Sequence, residues 1–471
     1  MDLSHKFWQL CNQLRHDGVD SADYIEQLTY LLFLKMAEER NTPLPTGCSW
    51  TDLTSQKDEN LIAKLDDLLS TLQKQDGLIG QIFEKPISRV DKVEGLKKMF
   101  KVLNSIEWTK IDTDVIGLAF EEIIGRVAND GKKGSGQYFT PRPLIQAIVE
   151  VMKPDPLENP DFTCADVASG TAGFLIVAYE WQKALHKKLK KADETRIKSS
   201  TYFGQELVSK PRRLALMNMY LHGVEANIKL GDSIYEQPDG RLFSCILTNP
   251  PFGNKGGGDI PNRADFKVKT ADKQLNFIQH IISSLKDGGR AAIVLPDSVL
   301  SNDKATEIWR NELENINLHT ILKLPRGTFA AYAAGVKACV VFIEKGQPTK
   351  NTWVYDARTN VEDVTKTSRP LNYDKHFGEF IKVYGSDTNG KSKRTEVERF
   401  KLFTIENIKA KNYDLSFSWL KDTLVFDPEN LPHPDVILSQ IAEELKKMID
   451  FMAEANQLDR WNKTAAQNIG V

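Results

Sequence analysis

The feature that most constrains this chain is an alternation, beginning near residue 162 and running to 345, of short apolar runs with longer amphipathic ones. "FTCADVAS", "TYFGQEL", "NIKLGDS", "LFSCILTN", "RAAIVLP", "HTILKLP" and "KACVVFIEK" have the length and apolar content of buried strands. "GFLIVAYEWQKAL" and "PRRLALMNMYLHG" fall between them with helical periodicity. Strands alternating with helices predict an α/β fold, here a doubly wound, mostly parallel, seven-stranded Rossmann-like sheet. Only "RGTFAAYAAGV" separates the last two strands, too little for a crossover helix, so the seventh is expected to run antiparallel.

Residues 1–126 read as an all-α domain. "SADYIEQLTYLLFLKMAEER" places Ile25, Leu28, Leu32 and Met36 on one face after possible caps at Asp20 and Ser21. "EGLKKMFKVLNSI" and "DVIGLAFEEIIGRVA" repeat the pattern, and the polar link "NDGKKGSGQ" follows. The α/β domain is expected over 127–425 and a helical tail over 426–471. In that tail Leu438, Ile441, Leu445, Met448 and Met452 form a heptad-like stripe after Pro434. The stripe fits a helix packed on its own domain and equally a seam for a partner's helix.

A chain of 471 residues can bury a full core, and its 41% hydrophobic and 27% charged residues are those of a soluble globular protein. No apolar run is long enough to cross a bilayer, and "MDLSHKFWQL" lacks a signal-peptide core, so a cytoplasmic protein without membrane contact is expected. The scattered Cys11, Cys48, Cys164, Cys245 and Cys339, with no C-x-x-C, favour a reducing compartment and no zinc site. No metal is expected. Net charge is −2, so any grip on nucleic acid must come from a local patch or a partner.

Ligands of open α/β sheets bind beyond the carboxyl ends of the strands. Four polar or glycine-bearing stretches fall there: "DVASGTAGF", "GQEL", "GDS" and "NPPF". Gly170 and Gly173 permit a sharp turn and a close ligand approach before a helix. The loop is not the G-x-G-x-x-G pyrophosphate cradle and suits a nucleoside without phosphates. Asp166, Ser169 and Thr171 offer partners for an amino group and a carboxylate. Glu206, 35 residues after Thr171, is placed to accept from ribose hydroxyls, and Asp232 is either a ligand contact or a helix cap. Upstream, Gln137, Tyr138, Phe139 and Thr140 form the turn before a helix containing Pro143. The aromatic pair could pack on an apolar or sulfonium-bearing ligand, or anchor a linker.

"NPPF", Asn249 to Phe252, ends a strand with two fixed φ angles and no further donors. An exocyclic amine on a nucleobase is a poor nucleophile because its lone pair is delocalised into the ring. Methylating it requires two acceptors for its hydrogens and an in-line methyl donor. The Asn249 side-chain carbonyl and the Pro250 main-chain carbonyl supply those acceptors, Pro251 stiffens the turn, and Phe252 offers a face for an extruded base. Asn249 is neutral and is not assigned as a general base. The glycines of "GNKGGGD" suit a mobile flap or a plain loop.

In order, "GQYFTPRPL", "DVASGTAGFL", "FGQEL", "LTNPPFG" and "RAAIVLPDSVL" resemble the γ-class N6-adenine DNA methyltransferases, and more closely the modification subunits of type I restriction–modification systems. The resemblance implies a methyltransferase fold using S-adenosyl-L-methionine, held by Gln137, Tyr138, Phe139, Thr140, Pro141 and Arg142, by Ser169, Gly170, Thr171, Ala172 and Gly173, and by Glu206. Asn249, Pro250, Pro251 and Phe252 would hold the adenine. The commoner family loop is Cys-Gly-Thr-Gly-Gly, from which Ser169 and Ala172 depart. Implied partners are double-stranded DNA, a specificity subunit that reads sequence, a restriction (translocase) subunit and a second methylase copy. The tail stripe is then the expected contact with the specificity subunit, and the N-terminal helices a DNA clamp. A protein-glutamine methyltransferase using the same motif, and a non-catalytic scaffold, are the alternatives at this point.

Overall fold

A computed structural model describes residues 3–19, 21–111, 113–130, 140–225, 227–252, 259–329, 335–365, 368–421 and single positions between 435 and 446. Residues up to Leu420 form one compact unit and Lys421–Val471 a second.

All seven expected strands are present: β1 (Cys164–Asp166), β2 (Tyr202–Glu206), β3 (Asn227–Leu230), β4 (Phe243–Thr248), β5 (Leu285–Pro296), β6 (Ile316–Lys323) and β7 (Ala338–Lys345). Two more, β8 (Asn351–Asp356) and β9 (Phe400–Thr404), extend the sheet, so the described residues hold nine strands rather than seven. The order is β3-β2-β1-β4-β5-β7-β6-β8-β9. The run from β3 to β5 is parallel. β7 lies antiparallel between β5 and β6, as the short connection requires. β8 is parallel to β6, and β9 antiparallel to β8.

Side chains alternate across each strand and feed two cores. Cys164, Cys245, Ala292 and Val294 face one, Ala165, Ile246, Ala291 and Ile293 the other. The first core is continuous with the N-terminal helices. Helix Ser21–Glu39 buries Ile25, Leu28, Leu32 and Met36 as expected, and also Tyr30, Leu31, Phe33 and Leu34, which makes it a central rather than an amphipathic surface helix. Helix Thr113–Asp130 runs unbroken through the boundary expected at 126. Asp20 lies outside the described residues. All five cysteines are buried free thiols. No described helix is long and apolar enough to cross a membrane.

In the second unit Asp435, Leu438, Ser439, Ala442, Leu445 and Lys446 are helical, with Leu438 and Leu445 exposed. Pro434, Ile441, Met448 and Met452 lie outside the described residues.

Candidate active site

The carboxyl ends of β1, β2, β3 and β4 open on a cavity of about 750 Å³. Small-molecule sites range over about 300–1,000 Å³. β1 ends on Asp166, whose Oδ1 accepts from the Thr248 hydroxyl at 2.6 Å and from the Ala168 N–H at 3.1 Å. Burial pushes this carboxyl up to about 7, the two hydrogen bonds opposing it and the nearby Glu206 adding to it.

The chain then turns. Ser169 N–H donates to the Gln205 carbonyl at 2.9 Å, and Gly170, at φ +51°, donates to Glu206 Oε2 at 2.9 Å. Glu206 Oε1 takes the Val208 N–H at 3.0 Å, so one carboxylate joins the loops after β1 and β2. Burial raises its pKa, against those backbone donors. Gly204 packs closely beneath: a Cβ there would lie 2.5 Å from Ile228 Cδ1 and 3.1 Å from Ser169 Cβ, so both side chains would have to give way. The Ser169 hydroxyl is buried without a partner among the described residues.

Beyond β3, Asp232 Oδ1 accepts from Ile234 N–H at 2.9 Å and Tyr235 N–H at 3.1 Å, so it caps a turn while lining the cavity. Beyond β4, Asn249 donates through Nδ2 to the Thr140 hydroxyl at 3.0 Å. That bond turns Oδ1 away from Thr140, buried and without a partner among the described residues. The Pro251 carbonyl accepts from Gln274 Nε2 at 2.9 Å, and the half-buried Phe252 ring meets Phe329 edge-on at 5.1 Å. Arg142 pairs with Glu121 and Glu180.

Of the residues expected from sequence, the cavity wall includes Thr140, Arg142, Asp166, Ser169, Gly170, Thr171, Gly173, Glu206, Asp232, Asn249 and Pro251. Pro141, Ala172, Pro250 and Phe252 are not on that wall. Gln137, Tyr138, Phe139 and the glycines at 253–258 lie outside the described residues. Sequence reading missed Thr248, Gln274 and Phe329, which hold the expected residues from behind. It also missed Leu118, Glu121, Glu122 and Gly125, a wall supplied by helix Thr113–Asp130. Nothing local marks those positions; only tertiary packing brings them in.

Two family models match: N-6 DNA Methylase over residues 111–423 and HsdM N-terminal domain over 3–44. The type I restriction enzyme EcoKI methylase subunit of Escherichia coli (strain K12) is 36% identical over 98% of this chain and 95% of its own length. The StySPI methylase subunit of Salmonella potsdam is equally similar, 36% over the same shares. The chain belongs to the methylase subunits of type I restriction enzymes. Its structure is similar to a chain described in work on assembly and conformational transition of the type I R-M system (TM-score 0.76, 28% identity, 97% of this chain and 98% of that one). It is also similar to the crystal structure of the EcoKI M protein (TM-score 0.56, 33% identity, 95% and 94%).

As a type I methylase subunit the protein is an enzyme of the N6-adenine DNA methyltransferase family. The protein-glutamine and scaffold alternatives give way to that assignment. In this methylase subunit Ala172 occupies φ +65°, the left-handed region natural to glycine, at the position where the commoner family loop carries glycine. Its methyl group is fully buried and off the cavity wall, so the departure falls on backbone strain and not on the site surface.

Proposed function

We propose that this methylase subunit transfers a methyl group from S-adenosyl-L-methionine to N6 of an adenine rotated out of double-stranded DNA. In this reading a separate specificity subunit chooses the sequence. The observation that carries it is the pair of buried oxygens without partners among the described residues, Ser169 Oγ and Asn249 Oδ1, on loops that open on one cavity. Buried polar atoms are rarely left unsatisfied, and these fit a ligand on one side and an amine on the other.

The residues fit the cofactor. Asp166, Ser169 and Thr171 would hold its amino and carboxylate groups, Glu206 its ribose, and Asp232, on the same wall, would contact the rest of the nucleoside. When bound it supplies an electrophilic methyl on a sulfonium. Asn249 Oδ1 and the Pro250 carbonyl take the two amine hydrogens, and Thr140 bonds the Asn249 amide nitrogen. Phe252, braced by Phe329, stacks on the base. The amine nitrogen would take the methyl as the sulfonium S–C bond breaks, leaving a neutral thioether, and would then lose its proton to water, so no side-chain base is assigned. The same reading divides the chain into helical domain 1–126, catalytic domain 127–425 and tail 426–471. The tail stripe engages the specificity subunit, and the restriction subunit and a second methylase copy complete a cytoplasmic complex. The small net charge of −2 supports shared DNA binding.

Methyl incorporation into DNA by the assembled complex is the test. Asn249→Ala should abolish it while cofactor binding and assembly persist. Undiminished transfer by that variant would refute the assignment.

A further inference from the structure

Helix Thr113–Asp130 packs against helices Leu3–His16 and Ser21–Glu39 of the helical region and against helix Ser209–Leu221 of the α/β region. Leu118, Glu121, Glu122 and Gly125, at i, i+3, i+4 and i+7, present one face of this helix to the cavity. Leu118 is 42% exposed, an apolar side chain on that wall which the described residues leave partly uncovered. Glu121 is the fastening. Its carboxylate pairs with Arg142 and accepts from Asn218 Nδ2 at 3.1 Å. The same amide nitrogen donates to the Thr171 carbonyl at 3.1 Å, inside the loop assigned to the cofactor. Arg142 reaches on to Glu180, on the helix that follows that loop. Close packing fixes the helix as well, since a Cβ on Gly117 would come within 2.2 Å of the His222 ring.

From this geometry we infer that helix Thr113–Asp130 is part of the S-adenosylmethionine site, Leu118 covering the ligand and Glu121 acting as a positioning residue. Cofactor binding and the seating of the N-terminal helices on the sheet are therefore one coupled equilibrium. The inference rests on the cofactor assignment above. Coupling is reciprocal: a ligand that fastens the helix binds more weakly when the helix is loosened.

The test uses the full chain and S-adenosylmethionine, with dissociation constants from calorimetry and backbone protection from hydrogen exchange. In the wild type, saturating cofactor should slow exchange across 113–130. Leu118→Trp, at an exposed position, and Glu121→Gln, which keeps an acceptor for Asn218 but loses the charge facing Arg142, should each raise Kd at least about tenfold. Glu121→Gln should also lose the protection of 113–130 while protection around Ser169 to Gly173 remains. A melting curve of each free variant confirms folding. Wild-type Kd in both folded variants, or cofactor binding that leaves exchange at 113–130 unchanged, overturns the inference and leaves the cofactor assignment standing. A wild-type chain that binds no S-adenosylmethionine overturns both.

Discussion

Asp166 is the residue whose chemistry is most at odds with its surroundings. Its carboxyl is 2% exposed and is pushed by burial from 3.8 to about 7. Below about pH 4 the folded and unfolded chains both hold this proton. Between about pH 4 and 7 only the folded chain does, so stability falls as pH rises through that window and the loss is complete above 7. Asp166→Asn keeps the acceptor for Thr248 and Ala168 and does not titrate. Its melting temperature should exceed that of the wild type by a margin that grows from pH 5 to pH 8, the stability difference reaching the order of a few kcal/mol, while its cofactor affinity falls. A margin constant over that range would show that Asp166 is not the titrating group. Ala172 carries strain of another kind. Relieving φ +65° with Ala172→Gly should raise the melting temperature slightly, by no more than about 1 kcal/mol in stability after the added backbone entropy of glycine. Cofactor affinity should stay the same. A clear drop in melting temperature would mean that the buried methyl contributes more packing than the backbone loses.

At the scale of elements, the strands were legible because buried runs such as "SCILTN" and "ACVVFIEK" are apolar throughout, and because the short β6–β7 link forbids a crossover. β8, "NTWVYD", and β9, "FKLFT", are short and sit among polar, charged stretches, and their pairing depends on β6 already being in place. The site loops were legible because strand–loop–helix junctions with glycine, acid or proline carry their own signature. Their supports were not. Gln274, at the start of helix Lys273–Ser284, holds the Pro251 carbonyl from 23 residues away, a relation no local pattern encodes. Gln274→Ala and Gln274→Glu both remove that donor at neutral pH, and each should lower kcat for DNA methylation about tenfold or more with cofactor Kd unchanged. Steady-state assays of the assembled complex check this. A variant with wild-type kcat would show that the two prolines hold the turn unaided.

At the scale of the molecule, the sequence pattern separates a helical domain from an α/β domain, but the two share one hydrophobic core and are joined by ions that periodicity cannot reveal. Helix Ser209–Leu221 carries the joint. Lys210 reaches Asp23 at 2.6 Å, Arg212 donates to Gln81, and Arg213, buried and stacked 5.3 Å from the centre of the Tyr30 ring, pairs with Glu26. From the other side Arg40 caps the end of that helix through the Tyr220 carbonyl at 2.8 Å. Burial lowers the Arg213 pKa to about 10, still far above neutral, so its guanidinium stays charged. Such a pair adds little over an apolar substitute, but losing one member strands a charge in the core. Arg213→Ala leaves Glu26 with the Tyr30 hydroxyl and with Lys210 at 3.7 Å, and should cost up to about 3–5 kcal/mol. Arg213→Met with Glu26→Leu removes both charges and should recover most of that loss. Melting curves of the two variants give the order directly. If the double variant melts no higher than Arg213→Ala, the joint depends on the Arg213 bonds to the Ile82 and Glu84 carbonyls and not on the ion pair.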